Sequence, residues 1–307
     1  MLEAGALATG GGLWLASLLA FAGGAWWPLD LLAHFRVQYL VLATVLAALC
    51  LLARRRRTGM VIGACAALNA AVVLPYLVPS RPEPVAARAK LISMNVLTSN
   101  PDHDAVRRFV RRERPDLLLL MEVDERWMQD MADLRREYPY GVVEARSDNF
   151  GIALLSRHPC SRCEVVHLGP DRLPSVVGEF MMPDRVTLVG THPLPPLGSE
   201  RARSHDLHLR AVGDYIARVQ GPVILAGDLN TTPWSARFRR LLGRTGLRDS
   251  GAGHGVGRTW PADNALLGIT IDHFLSTGGV HVTRRERGPN VGSDHFPLIV
   301  EFALGSD

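Results

Sequence analysis

A chain of 307 residues, 47% of them hydrophobic, is long enough to bury a sizeable core in one large domain or two smaller ones. Residues 1–80 hold five of the 34 basic and two of the 30 acidic side chains, so the remainder is close to neutral. The sequence pI of about 9.1 comes mainly from one arginine cluster, which removes the basic footprint on which a nucleic-acid surface would rest.

In chain order, Ala4 to Leu29, Val37 to Ala53 and Thr58 to Ser80 contain no Asp, Glu, Lys or Arg. A bilayer-spanning helix needs roughly 17–25 mostly apolar residues, and helices of soluble proteins usually keep a polar face. The three runs therefore read as three transmembrane helices, a membrane anchor over residues 1–80. Glu3 ahead of the first run, and two further runs behind it, argue against a cleaved signal peptide. Arg54, Arg55, Arg56 and Arg57 form a short basic loop that the positive-inside tendency places in the cytoplasm. The third helix then runs outward, and the domain beyond it faces the extracytoplasmic side of a cell inner membrane. Arg81, Arg88 and Lys90 pull the other way.

Residues 81–89, rich in proline and alanine, read as an extended linker. From Lys90 the pattern alternates. Strands are expected at Lys90 to Leu97, Asp116 to Met121, Gly141 to Glu144, Phe150 to Leu155, Val176 to Met181, Val186 to Gly190, Val223 to Ala226, Ile271 to Leu275, Val280 to Thr283 and Pro297 to Phe302. Helices are expected at Asp102 to Arg114, Asp124 to Glu137, Glu200 to Arg218 and Ser235 to Leu242. Interleaved strands and helices with hairpins imply an α/β or α+β domain over residues 90–307 with mixed sheets.

Cys50 and Cys65 lie in the apolar runs and read as small apolar residues. Cys160 and Cys163, with His158 and His167, form a weak zinc pattern, because Ser161 to Leu168 reads as a strand that would send these side chains to different faces. A disulfide between the two suits an extracytoplasmic domain, but three positions along a strand make awkward geometry for it.

Polar residues able to bind metal or move protons recur just after apolar runs: Asn95, Glu122, His192, Asp228 with Asn230, Asp272, and Asp294 with His295. Functional groups gathered at strand ends mark an active-site mouth. Each has a bland alternative: Glu122 as a surface acid, Asn95 as a turn amide, His192 as a satisfied half-buried histidine. Asp228-Leu229-Asn230 is more specific, since two oxygen-bearing side chains two residues apart can hold a water between them, although an Asx turn capping the next helix is the alternative. Asp272 supplies a carboxylate able to orient His295.

Seven stretches in order carry a resemblance: Ser93-Met94-Asn95-Val96, Leu120-Met121-Glu122-Val123, Gly151 to Arg157, Thr191-His192, Gly227-Asp228-Leu229-Asn230, Ile271-Asp272-His273 and Gly292 to Pro297. With these the chain resembles the endonuclease/exonuclease/phosphatase superfamily, the DNase I-like group that also holds neutral sphingomyelinases and inositol polyphosphate phosphatases. Each string is short, but their order across residues 90 to 302 is specific. The resemblance implies a DNase I-like four-layer sandwich of two mixed β-sheets flanked by helices.

It also implies roles. Asn95, Glu122 and Asp294 would hold Mg²⁺ or Mn²⁺, hard cations suited to oxygen. Asp228 would activate the attacking water and Asn230 would position it. His295, held by Asp272, would hydrogen-bond the phosphate, and His192 matches a second histidine, whose partner in the family is acidic; Glu144 and Asn149 are both candidates for that position. The expected activity is a membrane-anchored, divalent-metal-dependent phosphodiesterase or phosphatase acting by in-line attack of water. Its expected partners are the lipid bilayer and a phosphoester substrate: a phospholipid headgroup, a nucleic acid or a small phosphodiester. The near-neutral domain disfavours tight duplex binding, and aromatic platforms for single strands are few, with Trp127, Trp234 and Trp260 the candidates. Arg201 and Arg203, beyond the prolines after His192, read either as a phosphate-binding lip or as a solvated connection. Two readings stand beside this one: an extracytoplasmic nuclease, and a non-catalytic binding module on the same fold.

Overall fold

The computed structural model describes residues 2–79, 89–182 and 184–305, with the side chains of residues 2 and 3 left aside. The linker expected at 81–89 lies outside the described residues except for Ala89, which already belongs to the first strand.

The N-terminal region is helical: α1 (Leu2–Leu19) runs on through a 3-10 turn (Ala20–Ala22), followed by α2 (Trp27–Ala33), α3 (Arg36–Leu52) and α4 (Arg56–Leu77). Two helical stretches are long and apolar enough to cross a membrane: Ala4–Ala22, with mean hydropathy 1.5, and Arg56–Leu77, with mean hydropathy 2.0. The expected middle span, Val37 to Ala53, falls on α3, whose 17 residues reach crossing length only together with α2. α2 and α3 meet at 58°, so a third crossing exists only if this bent pair counts as one. The bend has a local cause. Pro28 starts α2, and between the two helices His34, together with Asp30 one turn earlier, is buried against side chains and backbone nearly two hundred residues away.

The remainder is built on two six-stranded sheets. In chain order it runs β1 (Ala89–Asn95), α5 (His103–Glu113), β2 (Leu117–Met121), α6 (Glu125–Asp130), α7 (Ala132–Glu137), β3 (Tyr140–Glu144), β4 (Ile152–Ser156), β5 (Cys160–Leu168), β6 (Leu173–Met181), β7 (Arg185–Thr191), α8 (Ser199–Ile216), β8 (Val223–Asp228), α9 (Ala236–Thr245), β9 (Arg248–Asp249), β10 (Asp272–Ser276), β11 (Val280–Arg287) and β12 (Leu298–Leu304). One sheet has the order β11-β12-β1-β2-β4-β3, the other β5-β6-β7-β8-β10-β9. β1 with β2, and β7 with β8, are parallel; the other pairs are antiparallel. The helix expected over Asp124 to Glu137 is divided at Met131, whose buried side chain joins the core under both halves. The two-residue β9 has no counterpart among the expected strands.

Period-two alternation sorts the apolar side chains into layers. Leu117, Leu119 and Met121 of β2 face Leu188, Ile224 and Phe274 of the other sheet in a central core. Leu118 and Leu120 turn outward onto Phe109, Val110, Trp127 and Leu134 of α5–α7. On the opposite flank Val189, Leu225 and Leu275 pack on Val212, Phe238 and Leu241 of α8 and α9. Helix, sheet, sheet, helix is the four-layer sandwich that the resemblance implied.

Cys160 and Cys163 form a disulfide. The objection that three positions along a strand diverge holds for a regular strand, but β5 carries a bulge: Cys160 pairs with Phe180 while Arg162 pairs with Glu179 and Cys163 with Gly178. The extra residue, Ser161, returns both cysteines to the face that packs on the central core. His158 and His167 turn instead to Asp116 and Glu144, so these four residues do not gather around a metal.

Candidate active site

The two central parallel pairs end at the same edge of the sandwich, and the residues at their ends converge there. Asn95 closes β1 and Glu122 comes directly after β2; the Asn95 Nδ2 group donates to Oε1 of Glu122 at 2.7 Å. From the other sheet, Asp228 closes β8 and is buried at 1% exposure. A single oxygen, Oδ2 of Asp228, lies 3.4 Å from Asn95 Nδ2, 3.4 Å from His192 Nε2 and 3.6 Å from His295 Nε2. Asn95 and His295, from opposite ends of the domain, thus meet at one carboxylate.

Backbone geometry makes this convergence possible. Gly227 has φ +137°, and a Cβ there would lie 2.1 Å from the Thr191 carbonyl oxygen; without a side chain β8 closes on the end of β7 and brings Asp228 to His192. Glu122 and Asn230 themselves sit in the left-handed region, at φ +63° and +49°. Such backbone costs roughly 1–3 kcal/mol for a residue other than glycine and collects at functional sites. Local bonds hold it: Thr98 donates its hydroxyl to the Glu122 carbonyl at 2.9 Å, and the Asn230 amide N–H donates to Asp228 Oδ1 at 2.8 Å while its side chain donates to the Pro193 carbonyl.

His295 is oriented from behind. Its Nδ1 lies 2.9 Å from Asp272 Oδ2, and its backbone N–H donates to Ser293, whose hydroxyl donates to the Asn95 carbonyl. Burial works against a charge on His295, but the carboxylates of Asp272 and Asp228 outweigh it and push its pKa up to about 10. Burial alone would raise Asp228; the facing His295 and His192 instead bring it down to about 2. His192, also buried, is lifted above the ordinary histidine value chiefly by Asp228. Asp228 is therefore ionised between two histidines that favour their protonated forms.

His192 has no second carboxylate among the described residues. Its Nδ1 is buried without a hydrogen-bond partner, Glu144 is engaged by His167 and Arg146, and Asn149 lines the cleft. The ring packs 5.2 Å from that of Phe150. Asp294 accepts a hydrogen bond from the Trp260 indole at 3.0 Å and lines the same cleft as Glu122.

The site opens into a cleft of about 440 Å³ lined by Glu122, His192, Asp228, Asn230, Asp294 and His295 among others. Two of its lining residues, Leu31 and His34, come from the N-terminal helices. Nothing in the sequence pattern marked them, although an isolated acid such as Asp30 in an apolar run signals a buried partner. That partner is Arg237 at 2.6 Å. The Asp30 carboxylate also accepts from the Ser235 hydroxyl and the Ala236 N–H at the start of α9, and His34 Nδ1 receives the Thr232 N–H. The loop between Asp228 and α9 is braced from the N-terminal helices.

The donor set suits a hard divalent cation. Glu122, Asp228 and Asp294 present carboxylates to one cleft, and the side chains of Asp228, Asp272 and His295 place ligand atoms within 4.8 Å of one another. Of that last trio, Asp272 and His295 already bond each other, which leaves Asp228 with Glu122 and Asn95 as the oxygen-rich side facing the cleft.

A family model described as "Endonuclease/Exonuclease/phosphatase family" matches residues 92–295. A search of curated proteins gave no match. Among solved structures, an endonuclease/exonuclease/phosphatase from Beutenbergia cavernae is 22% identical with a TM-score of 0.58, over 71% of this chain and 72% of that one. Truncated Caenorhabditis elegans TDP2 is 20% identical with a TM-score of 0.57, over 71% and 97%. The human nocturnin catalytic domain with bound sulfate is 16% identical with a TM-score of 0.59, over 72% and 96%. At these identities the structures share the fold. The family match spans most of the sandwich and every strand end that carries a site residue, and on it this chain belongs to the endonuclease/exonuclease/phosphatase family of metal-dependent phosphoester hydrolases.

Proposed function

We propose that the chain is a membrane-anchored phosphodiesterase or phosphatase whose cleft holds Mg²⁺ or Mn²⁺ and hydrolyses a small phosphoester or a phospholipid headgroup on the extracytoplasmic side. The observation that carries this is the meeting of Asn95, His192 and His295 on one buried oxygen of Asp228, with Glu122 beside them.

Glu122, Asn95 and Asp294 would hold the ion, with Asp228 adjacent; the ion supplies charge neutralisation at the phosphoryl oxygens. Asp228, kept ionised, accepts a hydrogen bond from the attacking water, and Asn230, its backbone fixed to the same carboxylate, sets the direction of attack. His295, protonated and steadied by Asp272, donates to the phosphoryl or leaving oxygen. His192 donates from the other side.

Two features favour a compact substrate over a long nucleic-acid strand. Among the described residues, Arg201 is the only Arg or Lys lining the cleft, whereas strand binding relies on many phosphate contacts. Among the lining residues Leu197 and Trp260 are exposed and apolar. The two long apolar helices support the anchor, and the Cys160–Cys163 disulfide fits an oxidising compartment.

The test is hydrolysis of a chromogenic phosphodiester by the purified full chain in detergent, with Mg²⁺ and with chelator. Turnover is expected to vanish on chelation and to fall by about 10²–10⁴ in Asp228→Ala with the fold intact by circular dichroism. Turnover insensitive to both would refute the reading. A reporter fused at Asp307 that is active only in the cytoplasm would refute the orientation.

A further inference from the structure

A second cavity lies beside the catalytic cleft and shares no lining residue with it. Its volume is about 760 Å³, within the roughly 300–1,000 Å³ of ligand sites. One wall is α3, through Val37, Val41 and Leu42; the other is the loop ahead of β10, through Ala265, Leu266 and Leu267. Gln38 joins the walls, donating from Nε2 to the Gly268 carbonyl at 2.9 Å and to the Leu266 carbonyl at 3.3 Å. The groove is therefore a held gap between the N-terminal helices and the sandwich.

Its polar content is one-sided. Arg258 and Arg287 line it, and no Asp or Glu among the described residues does. Both guanidinium groups lie over the Phe296 ring, at 5.8 Å and 4.1 Å from its centre. Among the described residues neither pairs with a carboxylate, and Nη1 of Arg258 is buried with no hydrogen-bond partner. Two like charges stacked on one ring repel each other. Arg287 shows this, since burial and then the charge of Arg258 both lower its pKa. An anion between them would relieve that repulsion and satisfy the buried N–H.

The apolar part continues onto a wider surface. Val41 and Leu42 are 54% and 55% exposed and pass into Val45, Leu49 and Leu52 along the outside of α3, while Leu266 stands 83% exposed opposite them. An apolar trough that opens onto the side of a membrane helix and ends at paired cations matches one chemistry, an acyl chain carrying an anionic headgroup.

We propose that this groove binds one molecule of anionic phospholipid from the surrounding bilayer, its acyl chain between α3 and the 265–268 loop and its phosphate between Arg258 and Arg287, at a site separate from the catalytic cleft. The proposal rests on the reading that the N-terminal helices lie in a membrane. By tying the loop that carries Trp260 to the bilayer surface, the bound lipid fixes the height of the cleft above it.

The full chain is reconstituted in phosphatidylcholine vesicles containing a minor fraction of phosphatidylglycerol with a photoactivatable group on its acyl chain. After illumination the adducts are mapped by mass spectrometry. Adducts are expected to concentrate in residues 37–42 and 265–267 and to drop roughly thirtyfold in the Arg258→Gln/Arg287→Gln variant, at about one charge–headgroup interaction lost per arginine. Photoactivatable phosphatidylcholine is expected to label these segments at the low level of the variant. Val41→Trp, which fills the trough and leaves the arginines in place, is expected to reduce the adducts as well, and covers the case in which the double variant does not fold. Equal labelling by the two lipids, or labelling unchanged in both variants, would mean ordinary lipid contact and overturn the proposal. Absence of adducts in these segments would mean that another occupant, such as a second copy of the chain, fills the groove, and would also overturn it. Flotation of the vesicles tests the membrane premise, and a chain that stays behind refutes the proposal with that premise. Chelator-sensitive hydrolysis on the same vesicles keeps the two readings apart: lost adducts with intact turnover remove the lipid site alone, and lost turnover with intact adducts removes the hydrolase assignment alone.

Discussion

The sandwich and the N-terminal helices are held together in opposite ways. Between the sheets a continuous apolar layer runs from Leu91 to Phe302, and stability is spread over many side chains of which no single one is decisive. The N-terminal helices expose much of their apolar surface, with Leu15 61%, Leu42 55% and Leu49 57% exposed. They meet the sandwich through one small apolar cluster, in which Ala20, Ala33 and Val73 pack on Trp234, and through a few polar contacts: Asp30 with Arg237, His34 with Thr232, Gln38 with Gly268 and Tyr76 with Asp249. Distributed burial tolerates single losses, whereas a narrow seam that leans on paired polar groups is weakened at one point.

The largest effect is therefore expected at that seam. Asp30→Ala takes the acceptor from the Ser235 hydroxyl and the Ala236 N–H and leaves Arg237 with Asp206 alone; it should lower stability by about 3 kcal/mol, read as a shift in the chemical denaturation midpoint of the full chain in detergent. Asp30→Ala with Arg237→Met, which removes both charges, should recover most of the loss. If the single variant were as stable as the parent, the polar seam would carry no weight and the contrast between the regions would be lost.

An effect smaller per pH unit belongs to the sandwich's own buried polar groups. Burial pushes His205 down to about 3 and His208 down to about 4. Both are neutral in the fold but bind a proton near pH 6.5 once unfolded, so the unfolded chain takes up more protons between those values. The contribution of these two rings should be full above about pH 6.5 and fall as pH drops towards about 4, at roughly 1.4 kcal/mol per pH unit for each histidine. Denaturation midpoints measured across that window check this, and the slope should flatten in His205→Gln. A flat profile in the parent would mean that the two rings are not buried neutral.

The smallest is at the edge strand. Cys160→Ser with Cys163→Ser removes a bridge that closes a very short loop, and should cost about 1–2 kcal/mol. Reductant should shift the parent by the same amount and leave the variant unmoved. A parent indifferent to reductant would show the thiols unbonded.

The strands were legible because buried strands announce themselves as apolar runs, and the site because its side chains stand at strand ends where such runs stop: Glu122 after Leu117 to Met121, Asp228 after Val223 to Gly227. Asp272 is assigned to His295 by sequence, and the two lie 2.9 Å apart. What stayed hidden depends on partners distant in sequence or on one inserted residue. Asp30 and His34 find theirs 207 and 198 positions away, and by sequence they read only as the break between two apolar runs. The bulge at Ser161 turns an unfavourable cysteine spacing into a bonded one, and no residue-type signal marks it. Asp294 is placed beside the ion by resemblance alone, and its bond to Trp260 depends on a loop conformation that periodicity does not describe.

The brace at Asp30 changes what the first eighty residues are for. A shortened protein beginning near Ala89 would look like the natural soluble enzyme, yet Arg237 would keep only Asp206 as its partner, the Ala236 N–H at the start of α9 would lose its acceptor, and the connection directly behind Asn230 would go slack. Leu31 and His34 would be missing from the wall of the cleft. The part that resembles a tether is masonry, and the catalytic half is finished only when it is in place.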